Sequence, residues 1–102
     1  MILEVVDLYI KPGEEAGFEA ALKIGAAESL ALAQGYHGHE LLRSADTPNR
    51  YKLFVRWDSV ADHTEGFQKS PAFQVWRSHV GPFFESKPEV DHVVSLVKVD
   101  KQ

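Results

Sequence analysis

The stretch WDSVADHTEGFQKSPAF, residues 57–73, contains two helix starts and a single histidine between aromatic residues. Ser59 and Asp62, three positions apart, have the pattern of a capping box, which satisfies free backbone N–H groups in the first helical turn. Ser70 followed by Pro71 has the pattern of an N-cap with proline in the first helical position. The stretch therefore predicts two short helices, one directly after the other.

The histidine of this stretch, His63, lies four residues before Phe67, so the two side chains point the same way from the first helix. An imidazole in an aromatic-lined pocket is suited to proton transfer near neutral pH. The same spacing is also compatible with a hydrogen-bonded core residue or a capping residue. The pattern alone leaves both interpretations of His63 open.

Size and composition are those of one ordinary globular domain that spans residues 1–102. The chain has 44% hydrophobic and 25% charged residues, which is typical of a soluble protein. Its 15 acidic and 11 basic residues give a formal net charge of -4, and no lysine or arginine cluster is present. We therefore expect neither nucleic acid nor an anionic membrane as a partner.

The chain contains no cysteine, which excludes disulfides, thiolate catalysis and cysteine-ligated metal sites. No apolar run approaches the ~20 residues that a membrane-spanning helix needs. The apolar run within the first ten residues is too short for a signal peptide, and acidic residues occur too early in it. These features predict a cytoplasmic protein.

Strand and helix patterns alternate along the chain. The first strand, Ile2–Ile10, is rich in β-branched residues and has apolar side chains on both alternating faces, with Glu4 on one face and Asp7 on the other. A helix from Glu14 to a stop at Gly35 follows, and strands 36–44 and 50–57 are then joined as a hairpin. After the hairpin come the two helices that begin within residues 57–73 and a last strand, 90–99.

Both longer helices have an apolar or small-residue stripe at helical spacing, which predicts the face that packs on a sheet. A break at Gly81–Pro82 predicts a kink or a restart at the end of the last helix. The stripe of the first helix is Phe18, Leu22, Gly25, Ser29 and Leu32, and that of the last is Phe73, Trp76, Val80 and Phe83.

The order βαββαβ, with the second helix split, predicts a ferredoxin-like α+β fold. In this fold an antiparallel four-stranded sheet carries its helices on one face. The other face would be open in a monomer, yet the first and last strands have apolar residues there too. Because soluble monomers rarely expose large apolar patches, we expect a homodimer in which two sheets pack face to face.

Three motifs give the chain a resemblance to the antibiotic biosynthesis monooxygenase domains of the dimeric α/β barrel superfamily. They are VxLxIKPGEExxF at 6–18, YxGxELLRS at 36–44 and FVRWDSxxDHxxxFxxSPxF at 54–73. The resemblance covers nearly the whole chain. It implies a ferredoxin-like protomer that dimerises through its sheet, in agreement with the pattern of apolar residues.

The resemblance also implies a function, although similar domains include cofactor-independent oxygenases, haem-degrading enzymes, isomerases and members without an assigned activity. We expect a cofactor-independent monooxygenase acting on a small electron-rich aromatic of quinol or anthrone type, because a deprotonated phenol can itself reduce dioxygen. His63 matches a histidine of the family and would be the base, with Asp7 as a second catalytic candidate. The expected substrate-binding residues are Trp57, Phe67, Phe73, Trp76 and Tyr9.

Each of these assignments has a structural alternative. Phe73 and Trp76 have the spacing of ordinary core residues, and Asp7 could be paired with an arginine or a histidine, or exposed at a strand edge. His37 and His39 would need a third ligand to bind a metal, and we expect no metal site.

Haem-degrading relatives carry an asparagine, a tryptophan and a histidine where this chain has Asp7, Phe67 and Arg77, which argues against haem chemistry. The main alternative function is a non-catalytic dimeric ligand-binding or regulatory module of the same fold. Isomerisation of a small polar metabolite is less favoured, because only Arg56, Arg77 and Asp7 offer charged groups for it.

Overall fold

Four antiparallel strands form a single sheet in the computed structural model, which describes residues 1–102. The predicted α+β fold, its βαββαβ order and its four-stranded sheet are confirmed. The strands are β1 (Ile2–Tyr9), β2 (Tyr36–Arg43), β3 (Arg50–Trp57) and β4 (Glu89–Val93), in the spatial order β2-β3-β1-β4. The helices are α1 (Glu15–Glu28) and α2 (Pro71–Val80), with a π-helical turn at Asp62–Phe67 and 3₁₀ turns at Leu30–Leu32 and Gly81–Phe83.

The core lies between one face of the sheet and the helices. The even-numbered residues of β1 point into it, and β3 contributes every second residue from Tyr51 to Trp57, because successive side chains of a strand alternate between its two faces. Phe18, Leu22 and Gly25 of the predicted stripe are buried on α1, and Ala26, which the stripe did not include, is buried beside them. None of the helices combines the length and the apolar character that a bilayer-crossing segment requires.

Helix α1 ends earlier than the sequence predicted. It stops at Glu28, where Ser29 leaves helical geometry with φ of -140° and its hydroxyl donates to the carbonyl of Gly25 over 2.6 Å. A 3₁₀ turn follows and buries Leu30 in place of Leu32, which is 77% exposed. The prediction that Leu32 continues the inner stripe was therefore wrong, because the helix changes geometry three residues before it.

The two predicted helix starts within residues 57–73 are confirmed. The backbone N–H of Asp62 donates to the hydroxyl of Ser59 over 3.2 Å, as in a capping box. Ser70 is extended and Pro71 opens α2, although the Ser70 hydroxyl donates back to the Phe67 carbonyl instead of capping the helix. These two starts orient the short turn that carries His63.

The last strand is shorter than predicted. Strand β4 ends at Val93, which pairs with Leu3 of β1, instead of continuing to Val99. Because β4 is antiparallel to β1, each later residue of β4 lies opposite an earlier residue of β1. Val93 is opposite Leu3, near the N-terminus, so the residues after Val93 have no strand in this chain to pair with. The segment from 94 to 102 is consequently without secondary structure and exposes its apolar side chains, which are Val94, Leu96, Val97 and Val99.

Candidate functional site

A cavity of about 250 Å³ lies between the inner face of the sheet and the helices. Most of its wall is apolar, with side chains from β1, β3, α1 and α2. The polar residues that reach it are Glu4, His63, Gln68, Arg77 and Lys87. An apolar cavity with a few polar groups is the usual form of a site for a small organic ligand.

Glu4 is the carboxylate of this cavity and is only 6% exposed. Its position on β1 gives it the same orientation as Val6 and Leu8, so the helices cover it. The indole Nε1–H of Trp57 donates to its Oε1 over 2.9 Å. Burial raises the pKa of Glu4 to about 7, since the charged form loses its hydration, and the Trp57 hydrogen bond opposes this increase. Near neutral pH, Glu4 is therefore able both to take up and to release a proton.

His63 lies directly beside Glu4, with its Nε2 atom 3.4 Å from Glu4 Oε2. Its ring stacks on the indole of Trp57 at a centroid distance of 5.4 Å and an interplanar angle of 24°. Burial, with a smaller contribution from the charge of His92, lowers the pKa of His63 to about 4. His63 is therefore a neutral imidazole at neutral pH, whereas the carboxyl beside it titrates there.

The second nitrogen of His63 contacts a further histidine. His63 Nδ1 lies 2.8 Å from Nε2 of His92, so one of the two rings donates a hydrogen bond to the other. Strand register places His92 there, because β4 pairs with β1 so that His92 is directly opposite Glu4. His92 is half-buried, whereas His63 is buried. The three side chains thus form a row from the cavity towards solvent.

Two cations complete the cavity on its solvent side. Arg77, on α2, and Lys87, in the loop before β4, are both exposed and both contribute to the lining. Neither forms an ion pair with a carboxylate of this chain. The Arg77 guanidinium lies 5.9 Å from the centre of the Phe73 ring, within the range of a cation–π contact. This part of the cavity favours a negative charge on a ligand.

The structure brings most of the aromatic candidates together. Phe67, Phe73 and Trp76 line the cavity with His63. Trp57 is fully buried behind His63 and Glu4 and does not line it. Its contact with a ligand would thus be indirect, through the carboxylate that it holds by hydrogen bonding.

Asp7 and Tyr9 are not near this cavity, contrary to the expectation from the sequence. Both side chains point to the opposite face of the sheet, because odd-numbered residues of β1 alternate with the buried even-numbered ones. Asp7 forms an ion pair with Lys52 over 2.7 Å and lies 3.8 Å from Arg50, whose guanidinium lies over the ring of Tyr9. The expected alternative of an arginine partner thus holds for Arg50, although Lys52 is the closer cation, and neither Asp7 nor Tyr9 belongs to the site described here.

The structure also separates the two histidines considered for a metal. His37 contacts Asp58, whereas His39 contacts the hydroxyl of Tyr36. No group of three or more histidine, aspartate or glutamate side chains converges as a metal site would require.

Sequence reasoning missed Glu4 and His92. A carboxylate among apolar strand residues needs a partner, an exposed position or a function. This holds for Glu4 as much as for Asp7, because Glu4 shares its face with Val6 and Leu8. His92 gave no comparable signal. Only the register of β4 against β1 places it beside His63.

Residues 1–78 match the family model described as antibiotic biosynthesis monooxygenase. The chain belongs to this family. Glu4, Trp57, His63 and Arg77 lie within the matched residues, whereas His92 lies beyond them.

Similar proteins extend the match with the antibiotic biosynthesis monooxygenase family to almost the full chain. The uncharacterized protein YczJ of Bacillus subtilis (strain 168) is 36% identical over 92 residues, which are 90% of this chain and 96% of YczJ. A crystal structure from Bordetella bronchiseptica, of a protein assigned to this family, has 38% identity and a TM-score of 0.90, and the match covers 94% of this chain and 97% of that one.

SnoaB, a cofactor-independent oxygenase from Streptomyces nogalater, also has this fold. Its structure superimposes with a TM-score of 0.80 at 20% identity, over 98% of both chains. At this level of identity the similarity concerns the fold, so the residues of the site must be argued from this chain.

Proposed function

We propose that the protein is a cofactor-independent monooxygenase that oxidises a small electron-rich aromatic, of quinol or anthrone type, with dioxygen. The observation that carries the proposal is a buried carboxyl group, Glu4, with a pKa of about 7 in a largely apolar cavity. A general base is most effective when its pKa lies near the working pH. Family membership and the fold shared with SnoaB agree with this activity.

The chemistry needs only a base and an enclosure. Glu4 takes the acidic proton of the substrate, and the resulting anion is electron-rich enough to transfer an electron to dioxygen. The oxygen adduct that follows loses water, so that for an anthrone one oxygen atom becomes a ring carbonyl and the other leaves in water. The substrate supplies all the electrons.

Other residues of the cavity support the substrate anion. Phe67, Phe73 and Trp76 would enclose the aromatic ring and exclude water, which strengthens every electrostatic interaction inside the cavity. The unpaired cations Arg77 and Lys87 would stabilise the negative charge that deprotonation creates. His63 would hold Glu4 in place and exchange protons with it.

We further propose that the protein acts as a homodimer in the cytoplasm. The face of the sheet opposite the helices carries partly buried apolar residues from β1, β2 and β3, which are Leu3, Val5, Leu42 and Phe54. The apolar side chains of residues 94–99 are exposed as well. A second copy would cover both surfaces. Light scattering at micromolar concentration should give the mass of a dimer, and a stable monomer of 11.4 kDa would contradict this.

The activity can be tested by oxygen uptake with anthrone and with a naphthohydroquinone, each corrected for autoxidation. We expect saturable uptake by the wild-type protein and a loss of roughly 10²-fold or more in Glu4→Gln, as for the removal of a general base. Asp7→Asn is the matched control, since it makes the same chemical change on the opposite face of the sheet and should retain the activity.

Two results would contradict the proposal. Equal rates for Glu4→Gln and the wild type would exclude Glu4 as the base. Saturable binding of these aromatics with no uptake above autoxidation would instead support the non-catalytic ligand-binding module.

A further inference from the structure

Three ionisable side chains from three separate elements form a continuous row. Glu4 comes from β1, His63 from the π-helical turn and His92 from β4, with 3.4 Å between Glu4 Oε2 and His63 Nε2 and 2.8 Å between His63 Nδ1 and His92 Nε2. Each imidazole has two nitrogens, and His63 directs one of them to each neighbour. A side chain that joins a buried carboxyl to a half-buried histidine is in position to transfer protons.

We propose that His63 and His92 form a proton path between Glu4 and solvent, in which His63 changes tautomer but stays uncharged. This inference rests on the proposed function, in which Glu4 takes a proton from each substrate molecule and must release it before the next turnover. Glu4 is buried, whereas His92 at the other end of the row is half-buried and reaches solvent.

The transfer consists of three proton movements, of which the first two occur together. The proton on Glu4 Oε2 moves to His63 Nε2 while the proton on His63 Nδ1 moves to His92 Nε2, so His63 exchanges one N–H for the other. His92 then releases the proton on its Nδ1 to water or buffer. Glu4 is left ionised and accepts a hydrogen bond from His63 Nε2–H, and His63 Nδ1 accepts one from His92. Because His63 Nε2 then already carries a proton, the path passes a second proton only after His63 has given up this proton to water and regained one on Nδ1.

The environment of His63 explains why it would remain neutral. Its ring is 3% exposed and stacked on Trp57, so an imidazolium there would lose its hydration. A concerted double transfer avoids that charged state. The longer contact, 3.4 Å to Glu4, is of the kind that commonly shortens when a substrate binds.

Other charged groups lie near each member of the row. Arg77 and Lys87 line the same cavity as Glu4, and the carboxylate of Asp91 accepts the backbone N–H of His92 over 2.8 Å. On the π-helical turn, Asp62 is hydrogen-bonded to Ser59 and Glu65 pairs with Lys69. The contact between His63 and His92 is direct, so none of these groups interrupts it.

The first test is nitrogen NMR of the histidine rings from about pH 5 to about pH 8, where an ordinary histidine gains or loses its charge. In the wild type, His63 should carry its proton on Nδ1 at the acidic end and on Nε2 at the basic end. The exchange should follow the ionisation of Glu4, near pH 7. An imidazolium form of His63 within this range, or one fixed tautomer throughout, would overturn the proposal.

Glu4→Gln is the matched control for this experiment. The glutamine amide can accept from Trp57 with its oxygen and donate to His63 Nε2 with its nitrogen, as a protonated glutamic acid would. His63 should therefore stay in the Nδ1–H form throughout this pH range. This readout does not depend on enzymatic activity, so it decides the proton path even if no oxygenase activity is found.

The second test uses His92→Gln, which keeps a hydrogen-bond donor for His63 Nδ1 but cannot pass on a proton. In dilute buffer its turnover rate should fall by roughly 10²-fold, the lower end of what a proton-transfer group contributes, with KM unchanged. Added imidazole should restore the rate, because a small base can replace the missing ring. An unchanged rate, or a loss that imidazole does not restore, would contradict the role of His92.

Discussion

The substitution Glu4→Gln should change how the stability of the protein depends on pH. The pKa of Glu4 rises from 4.5 in the unfolded chain to about 7 in the folded protein. Between these values the unfolded state releases a proton that the folded state keeps, so the free energy of unfolding falls as pH rises. A shift of this size corresponds to about 3 kcal/mol at 1.36 kcal/mol per pKa unit. Glutamine does not titrate and removes this contribution.

The titration of His63 changes the free energy of unfolding in the opposite direction and masks the effect of Glu4 in the wild type. Its pKa falls from 6.5 in the unfolded chain to about 4 in the folded protein. Its contribution to stability is therefore present above pH 6.5 and is lost as pH falls towards 4, again by about 3 kcal/mol. The two contributions nearly cancel where their pH ranges overlap, and Glu4→Gln leaves only that of His63.

The assay is urea unfolding followed by tryptophan fluorescence, at one protein concentration, because a dimer makes stability concentration-dependent. The free energy of unfolding of Glu4→Gln minus that of the wild type should increase by about 3 kcal/mol between pH 4.5 and pH 7. Glu40→Gln, which removes an exposed carboxylate of β2, subtracts the effect of the net charge. A difference that stays constant within about 0.5 kcal/mol over this range would refute the assignment of Glu4 as a buried titrating group.

Three further substitutions test separate parts of the structure. Trp57→Phe removes the hydrogen bond that lowers the pKa of Glu4, so the increase in oxygen uptake with pH should move to higher pH in a pH–rate profile. Gly25→Ala places a Cβ 2.9 Å from Cβ of His79, and urea unfolding should show a loss of about 1–3 kcal/mol from overpacking between α1 and α2. Leu53→Phe fills part of the cavity and should weaken the binding of anthrone by roughly tenfold or more, which is about 1.4 kcal/mol. Tryptophan fluorescence measures this binding, and an affinity equal to that of the wild type would place the ligand elsewhere.

Local rules predicted the parts of the fold that depend on neighbouring residues. The capping pattern of Ser59 and Asp62, the proline after Ser70 and the break at Gly81–Pro82 all act within one or two turns, and the structure has each of them where the sequence predicted it. The end of β4 at Val93 depends instead on where β1 begins. No local pattern contains that information.

The choice between Glu4 and Asp7 illustrates the same limit for the site. Alternation along β1 correctly places the two carboxylates on opposite faces, but both faces are apolar, so the sequence does not tell which one the helices cover. His63 and Phe67 could be predicted as neighbours from their helical spacing, and both are buried beside the cavity. His92 could not, because only the pairing of two distant strands brings it to His63.

The most direct test of this account is a crystal structure of the protein with a naphthohydroquinone bound in the absence of oxygen. We expect the aromatic ring to occupy the cavity between the sheet and the helices, with a phenolic oxygen within hydrogen-bonding distance of Glu4 and the ring against Phe67 and Trp76. A ligand bound on the opposite face of the sheet, beside Asp7 and Tyr9, would contradict it, as would a cavity that stays closed to the ligand.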